Sequence, residues 1–102
     1  MDLSGWRKRI DTIDRQILDL LNQRAAAVLQ LAPLKREQAM PVHAPGRENE
    51  VLAKLEAHNQ GPLARQALRG IFECIMKEMR AIQNAPARQT EQDAEGEEPS
   101  AR

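Results

Sequence analysis

Arg24, Lys35, Arg47, Glu48 and Gln83 are the residues of this chain whose types and surroundings suggest chemistry. Arg24 and Lys35 fall on a three-and-four rhythm that is otherwise apolar: Ile10, Ile13, Ile17, Leu20, Arg24, Val28, Leu31, Lys35. Eleven residues separate the two cations, so they share one helix face roughly 16 Å apart along the axis, a gap that two long side chains leaning together largely close. Arg47 follows the turn-rich stretch "PVHAPG" at what reads as a helix start, where the dipole is positive and a cation is disfavoured. Gln83 ends an apolar stripe of its own, after Phe72 and Met76 or Met79. A cation withdrawn from water needs an anionic partner, and the apolar stripes supply no carboxylate. A single arginine at such a position is commonly a snorkelling side chain at an interface edge. Together, Arg24, Lys35, Arg47 and Gln83 point instead to a pocket for an anionic, hydroxyl-bearing small molecule.

Other chemistries find little support. Cys74 has no partner for an internal disulfide and lies in the apolar run "IFECIM", where a buried, inert thiol is expected. His43 and His58 have no Cys, Asp or Glu at a metal-ligand spacing, and there is no glycine-rich phosphate loop. Fifteen basic and fifteen acidic residues cancel, and one Trp and one Phe with no Tyr leave almost nothing for base stacking, so nucleic acid is not an expected partner. No stretch approaches a membrane span, and the N-terminus lacks the apolar core of a signal peptide; the chain reads as soluble and cytoplasmic.

Three helices must carry these residues. The first runs from residue 4 to about 39, with Ser4 placed to cap it and Pro33 costing one backbone hydrogen bond and offering a point for a kink. "AMPVHAPG" and "HNQGPLA" are the connections, rich in Pro and Gly. A short helix over about 46 to 58 turns Val51, Leu52 and Leu55 inward. After Pro62, the spacing of Leu63, Leu68, Ile71, Phe72, Ile75, Met79 and Ile82 makes a third helix that ends near Pro86. Strand alternation is absent, so the fold class is all-α, with a long, a short and a medium helix in one domain over residues 1 to 86. The remainder, "ARQTEQDAEGEEPSAR", is polar and acidic and reads as a disordered tail over 87 to 102.

A helix of some 35 residues is about 50 Å long, roughly twice the span expected of a compact 100-residue globule with a radius of gyration of ~13 Å. The first helix must therefore project beyond its two shorter partners. The simplest cover for its stripe is a homodimer in which two long helices pair.

At this point the chain resembles the all-helical class of chorismate mutases, over about residues 3 to 84. The resemblance rests on R-x-x-I-D-x-I-D at Arg7 to Asp14, L-L-x-x-R ending at Arg24, then Leu34-Lys35, Pro41-Val42, Arg47-Glu48 and a closing Gln83, in that order. It implies an intertwined homodimer that rearranges chorismate to prephenate, the branch step toward phenylalanine and tyrosine in the shikimate pathway. That reaction uses no nucleophile, proton transfer or cofactor: the protein holds a dicarboxylate in its reactive conformer and places donors on the ether oxygen as the breaking C–O bond gathers charge. By the same resemblance Arg24 binds a substrate carboxylate, Lys35 and Gln83 reach the ether oxygen, Glu48 accepts from the ring hydroxyl beside Arg47, and Arg7 arrives from the partner subunit. Geometry agrees on Arg7, which lies about 25 Å along the helix from Arg24, too far for both to grip one small ligand from one chain.

Four positions depart from the family pattern. Ala44 stands where an aspartate usually caps the second helix, leaving only a backbone N–H contact there, and Gly46 replaces a glutamate or similar residue. Pro33 interrupts an otherwise continuous helix just before Lys35. Met79 replaces a serine that commonly helps to hold a carboxylate. None removes a main charge, and activity with weaker substrate binding is expected. Two further readings fit the same residues: an isochorismate pyruvate-lyase on this fold, against which Lys35 with Gln83 favours the mutase, and a catalytically silent helical dimer that docks on another shikimate-pathway enzyme.

Overall fold

The computed structural model describes residues 1–84, which form three helices: α1 (Leu3–Glu37), α2 (Pro45–His58) and α3 (Arg65–Asn84). The expected tail over 87 to 102 lies outside the described residues. α3 packs against both α1 and α2. The long axis measures 53 Å and the radius of gyration is 16.8 Å, as an unbroken 35-residue α1 requires at ~1.5 Å per residue.

The cap of α1 is Asp2 and not Ser4: the Asp2 carboxylate accepts from the Gly5 N–H at 2.8 Å, while its carbonyl takes the first helical bond, from Trp6. A carboxylate there also complements the positive end of the helix dipole. Pro33 is accommodated within a continuous α1. Its missing N–H leaves the Leu29 carbonyl without a helical donor, and both residues are exposed, so water can substitute. The helix ends at Glu37, two residues short of the expected limit. There Ala39 N–H donates to Arg36 O at 3.1 Å and Met40 N–H to Lys35 O at 2.8 Å. This paired closure needs a left-handed residue after the cap, and Ala39 supplies it at φ 56°.

α2 begins with Pro45 at its first position, where the lost donor costs nothing. Ala44 at its N-cap makes no side-chain bond. The second connection is organised by Asn59, whose side chain donates to Leu63 O at 2.8 Å and accepts from Gly61 N–H at 3.2 Å. Leu63 is consequently an exposed loop residue and not the first of a helical stripe. α3 starts at Arg65 and closes at Asn84, slightly inside the expected span.

The core is thin. Among the described residues Ala32, Leu52, Leu68, Met76 and Met79 are buried, joined by one polar residue, Gln83, and no large side chain is wholly buried. Val51 and Leu55 flank Leu52 on the inner face of α2, both half-buried. Cys74 is exposed, against the expectation of a buried thiol. The run from Ile71 to Met76 covers more than one helical turn, so it cannot all face one way. Leu68, Met76, Met79 and Gln83 point into the chain, whereas Ile71 and Cys74 point out. On α1, Leu3, Trp6, Ile10, Ile13, Ile17 and Leu20 are all exposed, Trp6 at 52% and Ile10 at 53%.

Candidate active site

Three elements surround one open cavity of about 160 Å³ with charged and apolar walls. α1 contributes Arg24, Val28, Leu31 and Lys35, the C-terminal part of its stripe. The first turns of α2, with Ala44 just ahead of them, bring Arg47, Glu48 and Val51; α3 brings Met79, Arg80 and Gln83. Seven of the eight residues expected at the site thus line one wall or another of a single cavity. Arg7 does not: it sits on the exposed N-terminal half of α1.

Lys35 and Gln83 meet although 48 residues apart, with Lys35 Nζ donating to Gln83 Oε1 at 3.3 Å. The Gln83 amide nitrogen donates to Met79 O at 3.2 Å, which uses one of its two protons and leaves the other for a ligand. Buried Gln83 thus has its oxygen and one proton engaged, and its remaining donor sits beside a lysine. Arg24 is half-buried and has no carboxylate partner among the described residues, and Lys35 has none either. Arg47 is different: its guanidinium pairs with Glu50 at 2.5 Å on the exposed side of α2. Glu48 pairs with Arg80 across to α3, and its other oxygen lies 3.9 Å from His43 Nε2.

Arg80 was not among the residues that spacing singled out. Its partner is 32 residues away on another helix, and no local pattern announces such a pair. With it, four cations and one carboxylate line the cavity. Pairing of Arg80 with Glu48 and of Arg47 with Glu50 leaves Arg24 and Lys35 to meet external negative charge.

Away from the cavity, Glu56 of α2 receives Arg69 at 2.8 Å and Arg65 at 3.3 Å from α3. The Arg69 hydrogen bond, opposed by partial desolvation and helped by Arg65, holds the Glu56 carboxyl below the ordinary carboxylate value. The same bond moves Arg69 upward. On the opposite side of α3, an apolar groove of about 560 Å³ runs between α1 and α3, lined by Ile17, Leu21, Ala25, Ile71, Cys74 and Ile75 among others. Among the described residues no group of acidic, His and Cys side chains is arranged to hold a metal ion, and no helix is long and apolar enough to cross a membrane.

Three helices around a cavity lined by four cations and one carboxylate define an all-helical protein with a cationic pocket. The chain belongs to the chorismate mutase type II family, whose profile matches residues 6–84. It is 35% identical over 79 residues to the bifunctional chorismate mutase/prephenate dehydratase of Aquifex aeolicus (strain VF5), a match covering 74% of this chain and 22% of that protein. The corresponding bifunctional protein of Neisseria gonorrhoeae (strain ATCC 700825 / FA 1090) is 39% identical over 77 residues, covering 76% and 21%. The chain therefore spans about a fifth of the length of these curated relatives. Among solved structures it is similar to chorismate mutase (form II) from Thermus thermophilus, with a TM-score of 0.78 and 34% identity over 80% of this chain and 93% of that one. Form I from the same organism gives a TM-score of 0.72 and 36% identity, covering 76% of this chain and 96% of that one.

Proposed function

We propose that this chain is a chorismate mutase, converting chorismate to prephenate on the route to phenylalanine and tyrosine. The observation that carries the reading is a pair of cations without a carboxylate partner among the described residues, Arg24 and Lys35, on a cavity wall that also presents the spare donor of Gln83. The substrate is a dicarboxylate with a ring hydroxyl and an allylic enol ether. In the reaction the ether C–O bond breaks while a C–C bond forms between the two ends of the same molecule. Substrate and product are isomers, so no electron or proton is exchanged with the protein. Arg24 binds a carboxylate. Lys35 Nζ and the Gln83 amide donate to the ether oxygen, where charge develops, and donors so placed act on the transition state more than on the ground state. Glu48 accepts from the ring hydroxyl, Arg47 lies beside it, and the Ala44 backbone N–H and Met79 complete the walls.

The active form is a homodimer with shared sites. Three features support this: the uncovered stripe from Leu3 to Leu20, the apolar groove between α1 and α3, and a cavity below the roughly 300–1,000 Å³ common for complete small-molecule sites. Arg7 then reaches the cavity of the other subunit. A cytoplasmic setting accords with the exposed, unpaired Cys74.

The test is an absorbance assay of chorismate loss with chromatographic identification of the product. Prephenate is the expected product; salicylate with pyruvate from isochorismate, or no turnover, would overturn the reading. Lys35→Ala should lower the rate by about 10²–10³-fold without changing helix content.

A further inference from the structure

Arg80 is a cavity residue to which the proposed reaction assigns no task. It follows Met79 on α3 and lies one helical turn before Gln83, on the same face. Its Nη1 donates to Glu48 Oε2, and the two side chains are only 25% and 22% exposed. No other arginine or lysine pairs with Glu48 among the described residues, and His43 Nε2 lies 3.9 Å from Oε1.

The turn that bears Glu48 is weakly held by its own sequence. Ala44 offers no side-chain cap. Gly46, with open space where a Cβ would stand, adds no side chain to brace the first turn. Arg47, the neighbouring cation, is drawn to Glu50 on the exposed side. The bond to Arg80 is an ion pair that links this turn to α3 at the level of the cavity, beside the packing of Val51 and Leu52.

We infer that Arg80 is a positioning residue for hydroxyl recognition: it holds the Glu48 carboxylate against the cavity wall so that its remaining lone pairs accept from the substrate hydroxyl. The inference rests on the chorismate mutase reading and adds to it the group that aims Glu48. A carboxylate has about four acceptor sites, and one bond to Arg80 leaves the others available. Removing Arg80 alone leaves the Glu48 carboxylate uncompensated, a like charge that any dianionic substrate meets, whereas the aim of Glu48 matters only to a substrate that bears the hydroxyl. Its removal should therefore weaken both kinds of substrate through charge and, beyond that, damage recognition of the hydroxyl.

The test compares chorismate with its analogue lacking the ring hydroxyl, using wild type, Arg80→Gln, Arg80→Lys, Glu48→Gln and the Arg80→Gln/Glu48→Gln double variant. With chorismate, Arg80→Gln should lower kcat/KM about tenfold, and Arg80→Lys, which keeps a single charged donor, should recover part of that loss. With the deoxy analogue, which meets the same change of charge, the loss from Arg80→Gln should be at least about threefold smaller than with chorismate. In the Glu48→Gln background, adding Arg80→Gln should lower kcat/KM for chorismate no more than for the deoxy analogue, because the hydroxyl-specific part of the effect needs Glu48. Equal losses on both substrates would overturn the inference, as would an undiminished hydroxyl-specific Arg80 effect without Glu48, or no effect on chorismate. If Arg80→Gln does not fold, as read by circular dichroism, the ratio of the two substrates with Arg80→Lys decides: a ratio equal to that of wild type overturns the inference. A wild-type chain that leaves chorismate unchanged fails the parent reading and this one with it. An active wild type indifferent to Arg80 fails this one alone.

Discussion

The two halves of α1 carry one rhythm of residues into opposite surroundings. From Arg24 to Lys35 the stripe lies under α2 and α3: Val28 is half-buried, Ala32 is 5% exposed, and the polar members of the stripe face a cavity. From Leu3 to Leu20 the same spacing leaves Trp6, Ile10 and Ile13 exposed, and Ile17 on the rim of the groove between α1 and α3. Periodicity states that a face is to be covered, and length decides what can cover it. Packed against each other, two helices of 14 and 20 residues cannot roof one of 35. An apolar face of that extent on a chain this small marks a contact surface. The comparison also separates functions, since the covered half holds the cavity and the bare half holds Arg7.

The strongest test of that division mixes inactive chains. Arg7→Ala and Lys35→Ala should each leave a small residue of activity. On subunit exchange, one pocket of each heterodimer carries both lesions and the other neither, so statistical mixing should restore roughly a quarter of the wild-type rate. A flat result in verified heterodimers would place Arg7 outside the partner's pocket. Next in size is Ile10→Lys. In an isolated chain this exposed position should tolerate the change within about 0.5 kcal/mol, whereas in paired helices an uncompensated charge should cost about 3 kcal/mol or more. Sedimentation should then show monomers at concentrations where the wild type is dimeric; a persisting dimer would break the comparison.

Smaller effects probe the covered half. Ala39 at φ 56° occupies the conformation that glycine adopts freely. Ala39→Gly should stabilise by roughly 0.5–1 kcal/mol, with part of the relief offset by the looser unfolded chain. Calorimetry should show Tm up by a few degrees. The smallest effect concerns the pair that ties α2 to α3. Because Arg69 holds Glu56 below its ordinary value, the stabilisation is present above about pH 4.5, the unfolded value, and is lost as pH falls through the lower folded one. Glu56→Gln should therefore narrow its Tm gap to wild type on acidification below pH 4.5, and a gap that stays constant would remove Glu56 from the acid response.

Most of the site was readable because its parts are set by local periodicity. Arg24 and Lys35 sit on one stripe, so helix geometry alone brings them to one face, whereas Arg47 and Glu48, adjacent after a turn marked by Pro and Gly, diverge, Arg47 toward Glu50 on the exposed side and Glu48 toward Arg80. Arg80 was not readable, since its identity as a cavity residue depends on Glu48 of another helix. Exposure of Cys74 was hidden for a related reason: an apolar run on a helix names two faces, and only packing tells which one the chain itself covers. The α1 ends were misjudged where two candidates competed within a few residues, Asp2 against Ser4 and an alanine closing a turn that usually calls for glycine.

The thin core has a consequence for how this protein responds to its own abundance. With Ala32, Leu52, Leu68, Met76 and Met79 as its buried apolar set, the isolated chain holds little stability in reserve. Under the two-chain reading, mass action then governs both folding and catalysis: Tm climbs with the logarithm of protomer concentration. Once dilution passes the dissociation constant, the number of complete sites falls with the square of that concentration. A cell that halves its supply of this chain near that threshold loses more than half of its catalytic capacity, and a dilute assay underestimates what the same molecules do when crowded together.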